Sequence, residues 1–92
     1  MNVIQPAVPS TPDIADRRRA FGRTVQLRRQ RRGLTATQLA NISGLDRSAI
    51  ARLESGASTV TLDDGFALAD ALGTDLAELL HETRVLVTQQ RM

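Results

Sequence analysis

The chain has no cysteine, lysine, tryptophan or tyrosine, and its two phenylalanines are Phe21 and Phe66. Without cysteine it can form neither a disulfide nor a thiolate metal site, as expected of a protein from a reducing cytoplasm. Two aromatics cannot build a platform on which successive bases of a single strand stack, which argues against that class of nucleic-acid binder. No apolar run approaches the ~20 residues that cross a bilayer, and the N-terminus lacks the charged-then-apolar order of a secretory signal. A soluble, cytoplasmic protein with no membrane partner is expected. The single histidine, His81, has no second histidine or cysteine beside it, and Asp63 and Asp64 fit a helix start with no nucleophile or metal-binding partner. These absences leave no catalytic constellation, no metal site and no cofactor site, so an enzyme is not expected. A length of 92 residues bounds the chain to one domain with one modest core.

Charge is unevenly placed. Residues 1–56 hold ten arginines against Asp13, Asp16, Asp46 and Glu54, a net of +6, whereas residues 57–92 hold Arg84 and Arg91 against six acids, a net of −4. Such asymmetry suggests that the basic half faces a polyanion. Every cation is arginine, whose planar fork can bind phosphate or guanine in a bidentate way.

The stretch TATQLANISGLDRSAIARLESG, residues 35–56, carries the most specific pattern. Thr35 followed by Gln38 three residues later has capping-box spacing, so a helix is expected over about 36–43. Leu39, Ala40 and Ile42 are expected on one side of it, and Ser43-Gly44 ends it, since glycine takes the left-handed conformation readily. Asp46 then caps a second helix, about 46–55, whose Ala49, Ile50 and Leu53 form one apolar face. Two short helices joined by a glycine-containing turn have the spacing of a helix-turn-helix, whose second helix lies in the major groove of duplex DNA. On its open face Arg47 can donate two hydrogen bonds to a guanine, Ser48 can bond a base edge or phosphate, Ala51 can touch a thymine methyl, and Arg52 can reach a second base or a phosphate.

The segment resembles the lambda-repressor and Cro type of helix-turn-helix, the xenobiotic-response-element family. Leu39 and Ala40 fall where that family packs its second helix on its third, Gly44 falls at its turn, and Ile50 and Leu53 fall at the core of its recognition helix. Arg29 and Glu54 match a family pair that bridges helix one to the end of helix three, a structural salt bridge. The run TLDDGFALADALGTDLAELL, residues 61–80, resembles the family's helices four and five, and the similarity covers about residues 20–80. LDRS and TLDD also look like restriction-modification controller proteins, a subgroup of the family. The resemblance implies an all-α, five-helix domain that binds double-stranded DNA as a homodimeric repressor or dual regulator, one that can act on its own promoter, and reads a palindrome. It implies phosphate contacts at Thr35, Ala36, Gln38 and Ser55; many members have glutamine at the place of Ala36, so that side-chain contact is missing here.

The remaining elements follow from pattern. Residues 1–10 read as a flexible arm. Helix one is expected to start at Ser10 or Thr11, with Pro12 in its first turn, and to run to about Arg32. Helix four is expected from a Thr61 cap through Leu72, burying Leu62, Phe66, Ala69 and Leu72. Thr74 or Asp75 caps helix five, and residues 81–92 extend it or leave it as a short strand through 85–87, the longer helix being favoured. Surplus apolar residues Leu76, Leu79, Leu80, Val85, Leu86 and Val87 are the candidate dimer interface. The competing reading is an antitoxin or other protein-binding module of the same fold, in which residues 1–12 or 81–92 hold a toxin, RNA polymerase or another partner protein.

Overall fold

Helix caps set the boundaries of the fold. In the computed structural model, which describes residues 13–90, five helices follow one another: α1 (Ile14–Arg31), α2 (Ala36–Ser43), α3 (Arg47–Glu54), α4 (Leu62–Ala71) and α5 (Leu76–Gln90). No strand occurs among the described residues. Thr35 and Gln38 form the expected capping box, with Gln38 N donating to Thr35 Oγ1 at 3.0 Å and Thr35 N donating to Gln38 Oε1 at 2.8 Å. Gly44 closes α2 at φ +80°, its N–H donating to the Ala40 carbonyl at 2.9 Å. A side chain at that left-handed position is strained, so glycine makes the sharp turn into α3 possible. Thr61 caps α4 by accepting from Asp64 N, and Asp75 rather than Thr74 caps α5 by accepting from Glu78 N.

Helix one starts later than expected. Asp13 is extended and its carboxylate accepts from Asp16 N at 2.7 Å, so Asp13 is the N-cap and the helix opens at Ile14 rather than at Ser10 or Thr11. The proposed arm, residues 1–10, lies outside the described residues. At the other end, 85–87 are helical, and α5 runs unbroken to Gln90.

The core joins all five helices through Phe21 and Val25 of α1, Leu39 and Ala40 of α2, Ile50 and Leu53 of α3, Leu68 and Ala69 with Leu72 at the end of α4, and Leu79 of α5. Three apolar residues expected inside are not. Ile42 is 57% exposed, because residue 42 lies roughly 160° around the helix from residue 40 at 3.6 residues per turn. Leu62 and Phe66 are 69% and 54% exposed. The stripe that α4 turns inward is Gly65, Leu68, Ala69 and Leu72, and Phe66 lies roughly 160° from Leu68. Only Ala69 and Leu72 of the expected set are buried.

An interhelical clip ties α1 to α5. Arg28 Nε donates to both carboxylate oxygens of Glu82 at 3.1 Å, and Nη2 adds a further short contact. The hydrogen bond from Arg28 holds the Glu82 carboxyl below its ordinary range, against the opposing effect of burial. Below it, the buried hydroxyls of Thr24 and Thr83 lie 3.2 Å apart across the same pair of helices.

Candidate nucleic-acid interface

Helix α3 is divided lengthwise by its own sequence. Ile50 and Leu53 are buried, Ala49 is half-buried, and Arg47, Ser48, Ala51 and Arg52 are exposed along the other side. Positions 47, 48, 51 and 52 fall within roughly 140° of arc, so one surface approaching α3 can meet all four. Neither the Arg47 nor the Arg52 guanidinium has an ion-pair partner among the described residues. Both keep their full donor sets for an external acceptor. Asp46 occupies the cap position with extended backbone but makes no side-chain capping bond, contrary to expectation. The helix is held by packing of its apolar face instead.

The seat of α3 is polar as well as apolar. Arg29 Nε donates to Glu54 Oε2 at 2.7 Å and Nη2 to Oε1 at 3.0 Å, while Nη1 donates to the Leu34 carbonyl at 2.9 Å. Both side chains are largely buried, at 13% and 9% exposure. One guanidinium thus fixes the end of α3 and the segment entering α2 to the same turn of α1, and the bonds to Glu54 keep Arg29 charged more firmly than usual, against its burial.

Beside α3, the start of α2 offers backbone donors. The capping box uses the N–H groups of Thr35 and Gln38, leaving those of Ala36 and Thr37 as the open donors at the positive end of the helix. Gln38 is exposed, and with its oxygen engaged its amide nitrogen is the group still able to donate. Ser55 is placed differently: its hydroxyl donates to the Arg52 carbonyl at 2.9 Å, so a phosphate contact through Oγ would have to exchange that bond.

The residues expected at a dimer surface do not share one. Leu79 and Val87 are buried within the protomer, Leu76 is half-buried against the core, and Leu86 is half-buried. Leu80 and Val85 are 50% and 41% exposed but lie roughly 140° apart around α5, so they face different ways. Leu80 borders an open apolar groove of about 1050 Å³ between α1, the 59–62 segment and α5, whose floor includes Phe21, Val60 and Val87. Leu62, expected in the core, lines the same groove, and Arg17, Arg18 and Arg84 stand around it. No sequence pattern above points to the Arg28–Glu82 clip, whose partners lie 54 residues apart in the chain.

Among the described residues no group of His, Asp and Glu is placed to hold a metal ion, and no helix is long and apolar enough to cross a membrane.

These features agree with known proteins. A family model described as a helix-turn-helix domain matches residues 20–81. The chain is similar to the clp gene regulator ClgR from Corynebacterium glutamicum, with 26% identity, a TM-score of 0.79, and coverage of 87% of this chain and 82% of that one. It is similar to the restriction-modification controller protein C.AhdI from Aeromonas hydrophila at 38% identity and a TM-score of 0.65, over 66% of this chain and 92% of that one. A hypothetical transcription factor, NHTF, from Neisseria matches at 29% identity and a TM-score of 0.68, over 86% and 88% of the two chains. No curated protein matches the sequence significantly. The 62-residue match, the five-helix architecture and the half-exposed third helix lead to one assignment: the chain belongs to the helix-turn-helix domain family, among transcription regulators of the xenobiotic-response-element type.

Proposed function

We propose that the protein is a sequence-specific regulator that binds double-stranded DNA as a homodimer, reads a palindromic operator in the major groove and represses transcription from it. The observation that carries this reading is the exposed quartet on α3, with two unpartnered arginines, on a helix whose far end is locked to α1. Arg47 stands at the N-terminal end of α3, the end that reaches base edges in this kind of docking. It is assigned a bidentate contact to guanine O6 and N7; Arg52, more than a turn further on, is assigned a second base or a phosphate, and Ser48 and Ala51 lie between them. The Ala36 and Thr37 backbone donors and the Gln38 amide are assigned to phosphates, which position the domain without carrying sequence information.

Pairing of two copies is assigned to the groove edge formed by Leu62 and Leu80. That edge borders the 59–62 segment, which follows α3 in the chain, and a second copy is assigned a seat against this connection. Arg17, Arg18 and Arg84 line the same groove, and a two-fold axis through this edge makes the contact isologous, the same patch meeting itself on both copies. Two recognition helices related by such an axis and spaced about one DNA turn, ~34 Å, read a palindrome. The controller-protein likeness fits this arrangement in a protein acting on promoters, its own included. A cytoplasmic, nucleoid-associated location follows from the same reading.

Selection from random duplexes with the wild type and Arg47→Ala in parallel tests the proposal. The expected outcome is a palindrome for the wild type, and for the variant a roughly 10- to 100-fold weaker complex with relaxed choice at one symmetric pair of positions, corresponding to about 1–3 kcal/mol per bidentate contact. Equal, salt-sensitive binding of every duplex by both proteins would show phosphate attraction alone. Attention would then move to the groove as a site for a toxin, RNA polymerase or another protein.

A further inference from the structure

The geometry points to Gly22, in the middle of α1, as a positioning residue for base recognition: its bare backbone sets how far α3 stands from α1 and therefore how deeply Arg47 and Arg52 reach. This rests on the DNA reading proposed above. Glycine is a poor choice for the interior of an 18-residue helix on propensity alone. Its place is explained by what lies against it. A Cβ at Gly22 would sit 2.2 Å from the Leu53 carbonyl oxygen and 2.7 Å from that of Glu54, the last two residues of α3. Both are backbone atoms, which cannot rotate aside as a side chain does.

The same face of α1 grips α3 at two other points. One turn before Gly22, the Arg19 backbone and Cγ lie so close to Gly56 that a Cβ there would fall 2.6–3.1 Å from them, and Gly56 already has φ +79°. Two turns after it, Arg29 holds Glu54 through two hydrogen bonds. Positions 19, 22 and 29 lie on one side of a helix of 3.6 residues per turn. Together they form a seat in which the exit of α3 meets α1 backbone to backbone, while Ile50 and Leu53 anchor the buried side of α3 in the core.

A methyl on Gly22 therefore requires the end of α3 to retreat by at least about 0.8 Å, the difference between 2.2 Å and the 3.0 Å below which real Cβ contacts essentially never occur. With Ile50 held in the core, that displacement tilts the helix. Base contacts through N–H donors work in a window of about 2.7–3.2 Å, so a tilt of this size is enough to take Arg47 or Arg52 out of register. Phosphate attraction, which is long-ranged and tolerant of geometry, survives it.

The test measures the affinity for the wild type's selected duplex relative to a scrambled duplex, for Gly22→Ala, Arg29→Lys, Arg47→Ala and each of the two seat variants combined with Arg47→Ala. Leu79→Val, a core change on α5, serves as a destabilised comparison. Gly22→Ala is expected to lower the ratio at least tenfold with scrambled-duplex binding within about twofold of wild type. Adding Arg47→Ala to it should cost less than Arg47→Ala costs alone, because the seat variant has already displaced that contact. Arg29→Lys, which keeps the charge but loses the fork, should show the same pattern more weakly and supplies the answer if Gly22→Ala does not fold. Leu79→Val should lower the melting temperature and leave the ratio alone. A wild-type ratio in the folded seat variants, or costs that simply add to that of Arg47→Ala, would overturn the positioning role. A wild type with no preferred duplex would instead defeat the DNA reading itself.

Discussion

Arg29 and Glu54 show how much a single pair of residues does in a domain this small. The Arg29 guanidinium spends three donors on Glu54 and the Leu34 carbonyl, and the pair lies at 13% and 9% exposure. Removing one partner of a buried pair strands the other, at a cost of about 3–5 kcal/mol. Because some solvent reaches this pair, Glu54→Ala is expected to cost about 2–4 kcal/mol, read as a lowered midpoint in urea unfolding at unchanged m-value. A loss within experimental error of zero would show that the pair is screened like a surface one. The residue scale was also where sequence was most informative, since the family resemblance alone implied this bridge between helix one and the end of helix three. Arg28 was not: its partner Glu82 lies 54 residues away on a helix whose rotation no local pattern specifies.

At the scale of elements, α2 and α3 were legible because everything that defines them is local. Thr35 and Gln38 close a box across three residues, Gly44 supplies the left-handed turn between the two helices, and Ile50 and Leu53 recur on one face. Thr35→Ala is accordingly expected to cost about 1 kcal/mol, the usual worth of a threonine cap, and to accelerate amide exchange of Gln38 and Leu39 before that of α5. Helix α4 was misread because it carries two overlapping apolar stripes. Which of them, Leu62-Phe66-Ala69-Leu72 or Gly65-Leu68-Ala69-Leu72, faces the core depends on where α2 and α5 lie, and that is a tertiary fact.

The α1–α5 clip is an element-scale device with a pH signature. The hydrogen bond from Arg28, supported by the nearby charges of Arg28, Arg31 and His81, lowers the Glu82 pKa from its ordinary 4.5. A carboxylate whose folded pKa is depressed stabilises the fold above its unfolded pKa and loses that contribution as pH falls through the folded value. The difference in melting temperature between wild type and Glu82→Gln should therefore be constant near neutrality and close progressively below about pH 4.5. A gap that persists at pH 2.5 would mean that the substitution acts through packing rather than charge.

For the whole molecule, the decisive question is which side of α5 faces another copy. The apolar residues counted from sequence as one interface are divided by the fold into a buried set, Leu79 and Val87, and two exposed flanks marked by Leu80 and Val85. Only the Leu80 flank joins the groove and borders the 59–62 segment, so the proposed pairing uses that flank. Leu80→Glu is expected to convert the protein from dimer to monomer in sedimentation equilibrium, while Val85→Glu leaves the dimer intact. The effect on DNA should then separate by target. Binding of a single half-site needs one copy and should be unchanged in Leu80→Glu, whereas binding of the full palindrome draws on linked sites and should fall by about 10²- to 10⁴-fold. The opposite result, a monomer from Val85→Glu and an unaffected Leu80→Glu, would place the two-fold axis on the far flank of α5. The groove would then have no part in bringing two half-sites under one protein.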